Sequence, residues 1–129
     1  MNIQLKEWKI IKIKYTLFKK NEKREGNYFD LDFKREFYKN HRSFAIRFYT
    51  HIEDENFDLE LESIFHFTTD EDITEEFKES YFTKINAPAI AYPYLRAYIS
   101  NLTLQSNGDP VILPTINFVA FHRRIEPEK

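Results

Sequence analysis

Asp30 and Asp32 stand two residues apart in "FDLDF" (29–33), and two carboxylates at that spacing on a strand point to the same side. Such a pair can hold a divalent cation only with further ligands, which the neighbouring sequence does not obviously supply, so a solvated strand face is the plainer reading. Asp58, Glu60 and Glu62 repeat the arrangement in "FDLELE" (57–62) and make a longer acidic stripe, either solvated or a docking surface for a basic partner. The histidines, His41, His51, His66 and His122, fall in no HxH or HxxxH spacing, and structural zinc sites draw on close ligand pairs, so no metal site is expected. No serine sits in a GxSxG elbow. Only two glycines occur, Gly26 and Gly108, and they form no loop whose backbone could cradle a phosphate. The expectation is a protein that is not an enzyme and needs no cofactor.

The rest of the composition agrees. The 129 residues suit one domain, with 31% charged side chains and a net charge of −2. That balance fits neither a nucleic-acid-coating domain nor an acidic disordered tail, and the small basic cluster "HRR" (122–124) does not change it. Cysteine is absent, which removes disulfides and thiolate metal sites. No run approaches the length of a membrane span, and "MNIQLKEWKIIKIKYTLF" lacks the continuous apolar core of a signal peptide, so the cytoplasm is the expected compartment. Aromatic residues are unusually frequent at 17%, with thirteen Phe and eight Tyr.

The elements that carry these residues can be read from periodicity. Ile11, Ile13, Tyr15 and Leu17 alternate with Lys12, Lys14 and Thr16. After the polar turn "KKNEKREGN" (19–27), Phe29, Leu31 and Phe33 alternate with the two aspartates. Phe44, Ile46 and Phe48 alternate with Ala45, Arg47 and Tyr49, and Phe57, Leu59 and Leu61 with the acidic stripe. Four strands with polar links predict an antiparallel meander. "TTDEDITEEFKESYF" (68–82) reads as a short helical crossover with acids in its first turn.

"NAPAIAYPYLRAYISNLTLQSNGDPVILPTINF" (86–118) is the most unusual stretch, holding every proline but Pro127 and many apolar residues. Asn86 can cap a helix, Pro88 suits its first turn, Pro93 predicts a kink, and Gly108 suits a left-handed end. Leu95, Ile99 and Leu102 mark one face, while Tyr94, Ala97 and Tyr98 extend the apolar arc around the cylinder. A helix apolar on two sides needs two covers: a sheet for one and another subunit for the other. Core on both sides is the plainer alternative.

That stretch resembles the SecB family of export chaperones. The likeness rests on Pro88, "PYLR" (93–96), the helix to Leu104, Gly108, Pro114 and the closing Asn117-Phe118, with weaker support from "FDLDF" and "IFHF" (64–67). The resemblance implies an α+β fold, in which a four-stranded antiparallel sheet packs with one long helix and a helical crossover. It also implies a dimer of dimers and ATP-independent binding of unfolded, export-bound preproteins along apolar grooves. By position it assigns Phe29, Leu31, Phe57 and Leu59 to client binding; Tyr94, Tyr98 and Ile99 are the expected oligomer interface. Asp58, with Glu60, is the candidate for docking SecA, but Lys19 and Lys20 stand where acids would help that contact, and the chain beyond Phe118 is short for the family. Some SecB-like chaperones instead hold an antitoxin, which is the alternative partner, and a non-enzymatic domain that encloses an apolar ligand among its aromatics is the other alternative.

Overall fold

The computed structural model describes residues 1–125, with side chains through Phe121. Four strands form one antiparallel sheet: β1 (Ile3–Leu17), β2 (Tyr28–Phe37), β3 (Ser43–Glu53) and β4 (Phe57–Thr69). A short helix α1 (Glu75–Lys78), the long helix α2 (Ala87–Asn107) and a last helix α3 (Phe118–Ile125) follow. This is the α+β architecture expected from the sequence, but the strand order is β1-β4-β3-β2, so the sheet is not a simple meander. β2, β3 and β4 follow one another as hairpins, and β1 lies beside β4 in a Greek-key order.

The cause is the β1–β2 connection. Residues 18–27 exceed the roughly 2–5 residues of a hairpin loop. They run across the end of the sheet and bond to the β3–β4 turn: the Phe18 N–H donates to the Asn56 carbonyl (2.7 Å) and the Arg24 N–H to that of Glu55 (3.2 Å).

β1 keeps its apolar residues on the helix side by slipping twice. Leu5 and Glu7 pair with the consecutive residues Phe67 and His66, and Ile10 and Lys12 with Ser63 and Glu62, which leaves Lys6 and Ile11 as bulges. Each bulge resets the alternation, so Ile3 and Leu5, then Trp8 and Ile10, then Ile13, Tyr15 and Leu17 share one face. Ile11, expected in register with Ile13, is instead the exposed residue of the second bulge.

The core lies between that face and α2. Phe44, Phe48, Phe57, Phe65 and Phe67 from the sheet and Leu95 and Ile99 from α2 are fully buried. Rings stack in pairs along it, Phe44 on Phe67 at 5.1 Å and Trp8 on Phe65 at 5.1 Å. Thr74 caps α1, its hydroxyl accepting from the Phe77 N–H (3.1 Å). α2 does not start on a capping Asn86 as expected. A π-helical turn, Phe82–Asn86, feeds into it and Asn86 already has helical angles. Pro88 sits in the first turn, and Gly108 closes the helix with φ +87°.

Candidate functional site: an apolar cleft beside an edge strand

β2 is one edge of the sheet, with β3 on its inner side. Beyond its outer side the chain returns from α2 and turns into α3, and a cleft of about 750 Å³ separates the two. Phe29 and Leu31 form the strand wall, Ile116, Ala120 and Phe121 the opposite wall, and Asp30, Asp32 and Asn117 the polar rim. Leu31 and Phe121 are themselves nearly buried, so the accessible apolar part is Phe29, Ile116 and Ala120, bordered by the polar rim.

Each wall has a local reason. Phe29 and Leu31 face the helix side because Leu31 is opposite Thr50 and Phe29 opposite Ile52, both buried on that side. Asp32 turns back on its own strand, its Oδ1 accepting from the Phe33 N–H (2.8 Å). On the far wall Asn117 caps α3, accepting from the Val119 and Ala120 N–H groups at 3.0 and 3.2 Å. Phe118 and Phe121, three apart, then bury themselves against Phe33, whose ring stacks on Phe121 at 5.5 Å. The extended segment before α3 is held to α2. Ser100 Oγ donates to the Val111 carbonyl (2.8 Å), and Thr103 Oγ1 accepts from the Val111 N–H (2.8 Å).

Of the residues assigned to clients, the structure brings only Phe29 and Leu31 to the cleft. Phe57 and Leu59 are fully buried on β4, an inner strand covered on the helix side, with Tyr15 stacked on Phe57 at 5.3 Å. They are core, and exposure on this chain is corrected accordingly. Their alternation with acids is the pattern of any half-buried strand, so sequence could not separate the two roles. Ile116, Ala120 and Phe121 were missed, although Asn117 followed by apolar residues at 118 and 121 is a capped amphipathic start.

The interface residues divide as well. Ile99 is fully buried against the sheet and has nothing to offer another subunit. Tyr98 is half-buried with its ring edge on Trp8 (5.8 Å). Tyr94 is exposed, as are Ile90 and Leu104 at the same helical spacing, so α2 does carry a second apolar stripe.

The opposite face of the sheet is polar and internally paired. Arg47 donates from Nε and Nη2 to Glu36 (2.8 and 3.1 Å) and from Nη1 to Glu62 (2.7 Å). Hydrogen bonding to Arg47 holds the Glu36 carboxyl below the usual range. Asp58 Oδ1 lies 2.8 Å from His51 Nε2. Of the expected acidic stripe, then, Asp58 and Glu62 already have partners and Glu60 is exposed. Asp30 and Asp32 join no cluster of potential metal ligands among the described residues. The His122, Arg123 and Arg124 side chains and residues 126–129 lie outside the described residues. No helix among the described residues is long and apolar enough to cross a membrane.

The fold matches known structures. A SecB-like chaperone of Mycobacterium tuberculosis, solved in complex with a ChAD peptide from the HigA1 antitoxin, superposes with a TM-score of 0.67 at 16% identity, over 88% of this chain and 87% of that one. A protein of unknown function from Streptococcus agalactiae gives 0.53 at 13% identity, over 88% and 98%. In sequence, an uncharacterized protein of Methanocaldococcus jannaschii is 48% identical over 48 residues, a match spanning 37% of this chain and 31% of that protein. The family model described as preprotein translocase subunit SecB matches residues 12–128, nearly the whole length, and the chain belongs to the SecB family of chaperones.

Proposed function

We propose that this chain is an ATP-independent, non-enzymatic holdase of the cytoplasm. It would take apolar segments of unfolded, export-bound preproteins into the β2–α3 cleft and keep them from aggregating. The observation that carries this reading is the cleft itself, where Phe29, Ile116 and Ala120 stay accessible beside an edge strand. Apolar walls bind by area removed from water, about 25 cal/mol per Å², whatever the order of residues in the client. The edge strand adds backbone groups that an extended chain can pair with.

The test is to dilute a slow-folding reporter from denaturant and follow light scattering. Suppression at near-stoichiometric ratio without nucleotide is expected. Unchanged scattering at every ratio contradicts the proposal.

An antitoxin is the second client class. The M. tuberculosis chaperone of the same fold holds a peptide from one, and the cleft here would take such a peptide by the same apolar contacts. Assembly into a homotetramer, a dimer of dimers, is also proposed, supported by the exposed stripe Ile90, Tyr94 and Leu104 on α2. Docking to SecA would be weak. Asp58 is engaged by His51, and Lys19 and Lys20 lie where the β1–β2 connection meets the β3–β4 turn.

A further inference from the structure

At the tip of the β3–β4 hairpin, Glu53 pairs directly with Asp58 across the ladder. Like charges placed opposite one another weaken a sheet unless something lies between them. His51, two residues before Glu53 on the same strand face, reaches diagonally to both: its Nε2 is 2.8 Å from Asp58 Oδ1 and 3.7 Å from Glu53 Oε1. Among the described residues these are the ion-pair partners that the two carboxylates have. Further acids surround the ring, because Asp30 is opposite His51 on β2 and Glu60 is opposite it on β4. One imidazole therefore sits amid four carboxylates, with Lys14 opposite Glu60 as the cation on the β1 side.

We propose that His51, Glu53 and Asp58 form a binding site for a divalent first-row transition ion of the zinc class. The donor atoms of the three lie within 4.8 Å of one another. Ligands bound at about 2.0–2.2 Å in tetrahedral or octahedral geometry stand roughly 3.0–3.5 Å apart, so side-chain shifts of about 1–2 Å, within reach of rotamer adjustment, suffice. One nitrogen and two carboxylate oxygens favour zinc, nickel, cobalt or copper over magnesium or calcium, which take all-oxygen shells. The three side chains are each about a quarter to two-fifths exposed, at 31%, 42% and 23%, which leaves water to complete the coordination.

The hairpin is built to hold this geometry. The Asn56 N–H donates to Asp54 Oδ2 (3.0 Å) and the Asp54 N–H to the Phe57 carbonyl (2.9 Å), fixing the turn between the ligands. The Tyr28 and His51 rings meet edge to face, with centroids 5.7 Å apart. The ion would clamp the same turn to which the β1–β2 connection is bonded. Sequence spacing alone concealed the site, because its third ligand comes from across the hairpin.

Zinc chloride titrated into the tag-free full chain by calorimetry, with thermal melts beside it, tests the proposal. The expected result is one saturable site per chain of micromolar affinity, and a melting temperature higher by roughly 5–10 °C at a hundredfold excess over Kd. His51→Gln and Asp58→Asn should each weaken binding at least tenfold while leaving circular dichroism unchanged, and His66→Gln should leave it intact. Absence of saturable binding, or binding that survives His51→Gln, overturns the site. Equal response to magnesium overturns the ligand class.

Discussion

Tyr92 on α2 donates its phenol to the Pro114 carbonyl at 2.7 Å, and so fixes the extended segment that leads into the far wall of the cleft. Phe118 sets its ring against the same tyrosine at 5.7 Å, and Tyr92 in turn lies against Phe48 of the sheet. One side chain therefore connects sheet, long helix and cleft wall. Burial pushes the phenol up from 10.0 to about 12. Raised above its unfolded value, this group contributes stability that is complete below pH 10 and is lost as pH rises through the folded value. Tyr92→Phe should cost about 1 kcal/mol at pH 7 and flatten the alkaline fall in stability, both read from denaturant melts at successive pH values.

Phe57 and Phe29 should respond differently to the same change. Phe57→Ser removes a fully buried ring and should cost about 3–5 kcal/mol, seen as a large drop in melting temperature. Phe29→Ser, half-buried on the cleft wall, should melt within a few degrees of wild type yet suppress aggregation less well. Equal melting temperatures for the two variants would contradict the division into core and cleft.

The Glu36–Arg47–Glu62 group sets an acid limit. The folded pKa of Glu36 is depressed, chiefly by its hydrogen bond to Arg47, so its contribution is present above the ordinary glutamate value and is lost as pH falls through the lowered one. Urea melts between pH 7 and 3 should show this loss, and Glu36→Gln should reduce it. Arg47→Met leaves two half-buried carboxylates without their cation and should cost about 1–3 kcal/mol at pH 7.

The two faces of α2 give a test of assembly. Tyr94→Asp with Leu104→Asp changes the exposed stripe and should lower the mass in light scattering without loss of helix signal. Ile99→Asp places a carboxylate against the sheet and should unfold the chain. A wild-type monomer at micromolar concentration would contradict the assembly.

Much of this architecture was legible because its signals are local. Alternation marked the strands, Gly108 the end of α2, and the acids of residues 68–82 a helical crossover, whose cap at Thr74 is a finding of the structure. Where β1 lies was not legible, since pairing with β4 rather than β2 depends on how a long connection crosses the sheet. Yet the step from Leu5 to Trp8 and from Ile10 to Ile13, three residues in place of two, does record its bulges in the sequence. One wall of the cleft was anticipated, Phe29 and Leu31, through the resemblance to the SecB family's second strand. The opposite wall depends on α3 folding back onto Phe33, a tertiary contact without a periodic signature. Burial separates Phe57 from Phe29, and burial is a property of neighbours.

Site-specific photocrosslinking tests the central claim most directly. A photoreactive residue at Ala120, exposed on the cleft wall, and another at Glu60, exposed on the opposite face of the sheet, would be compared with the same unfolded reporter. Crosslinking from position 120 that is competed by excess unlabelled unfolded chain, with little from position 60, is the predicted result. Equal labelling from both faces, or none from position 120 while the protein still suppresses aggregation, would contradict the cleft as the client site.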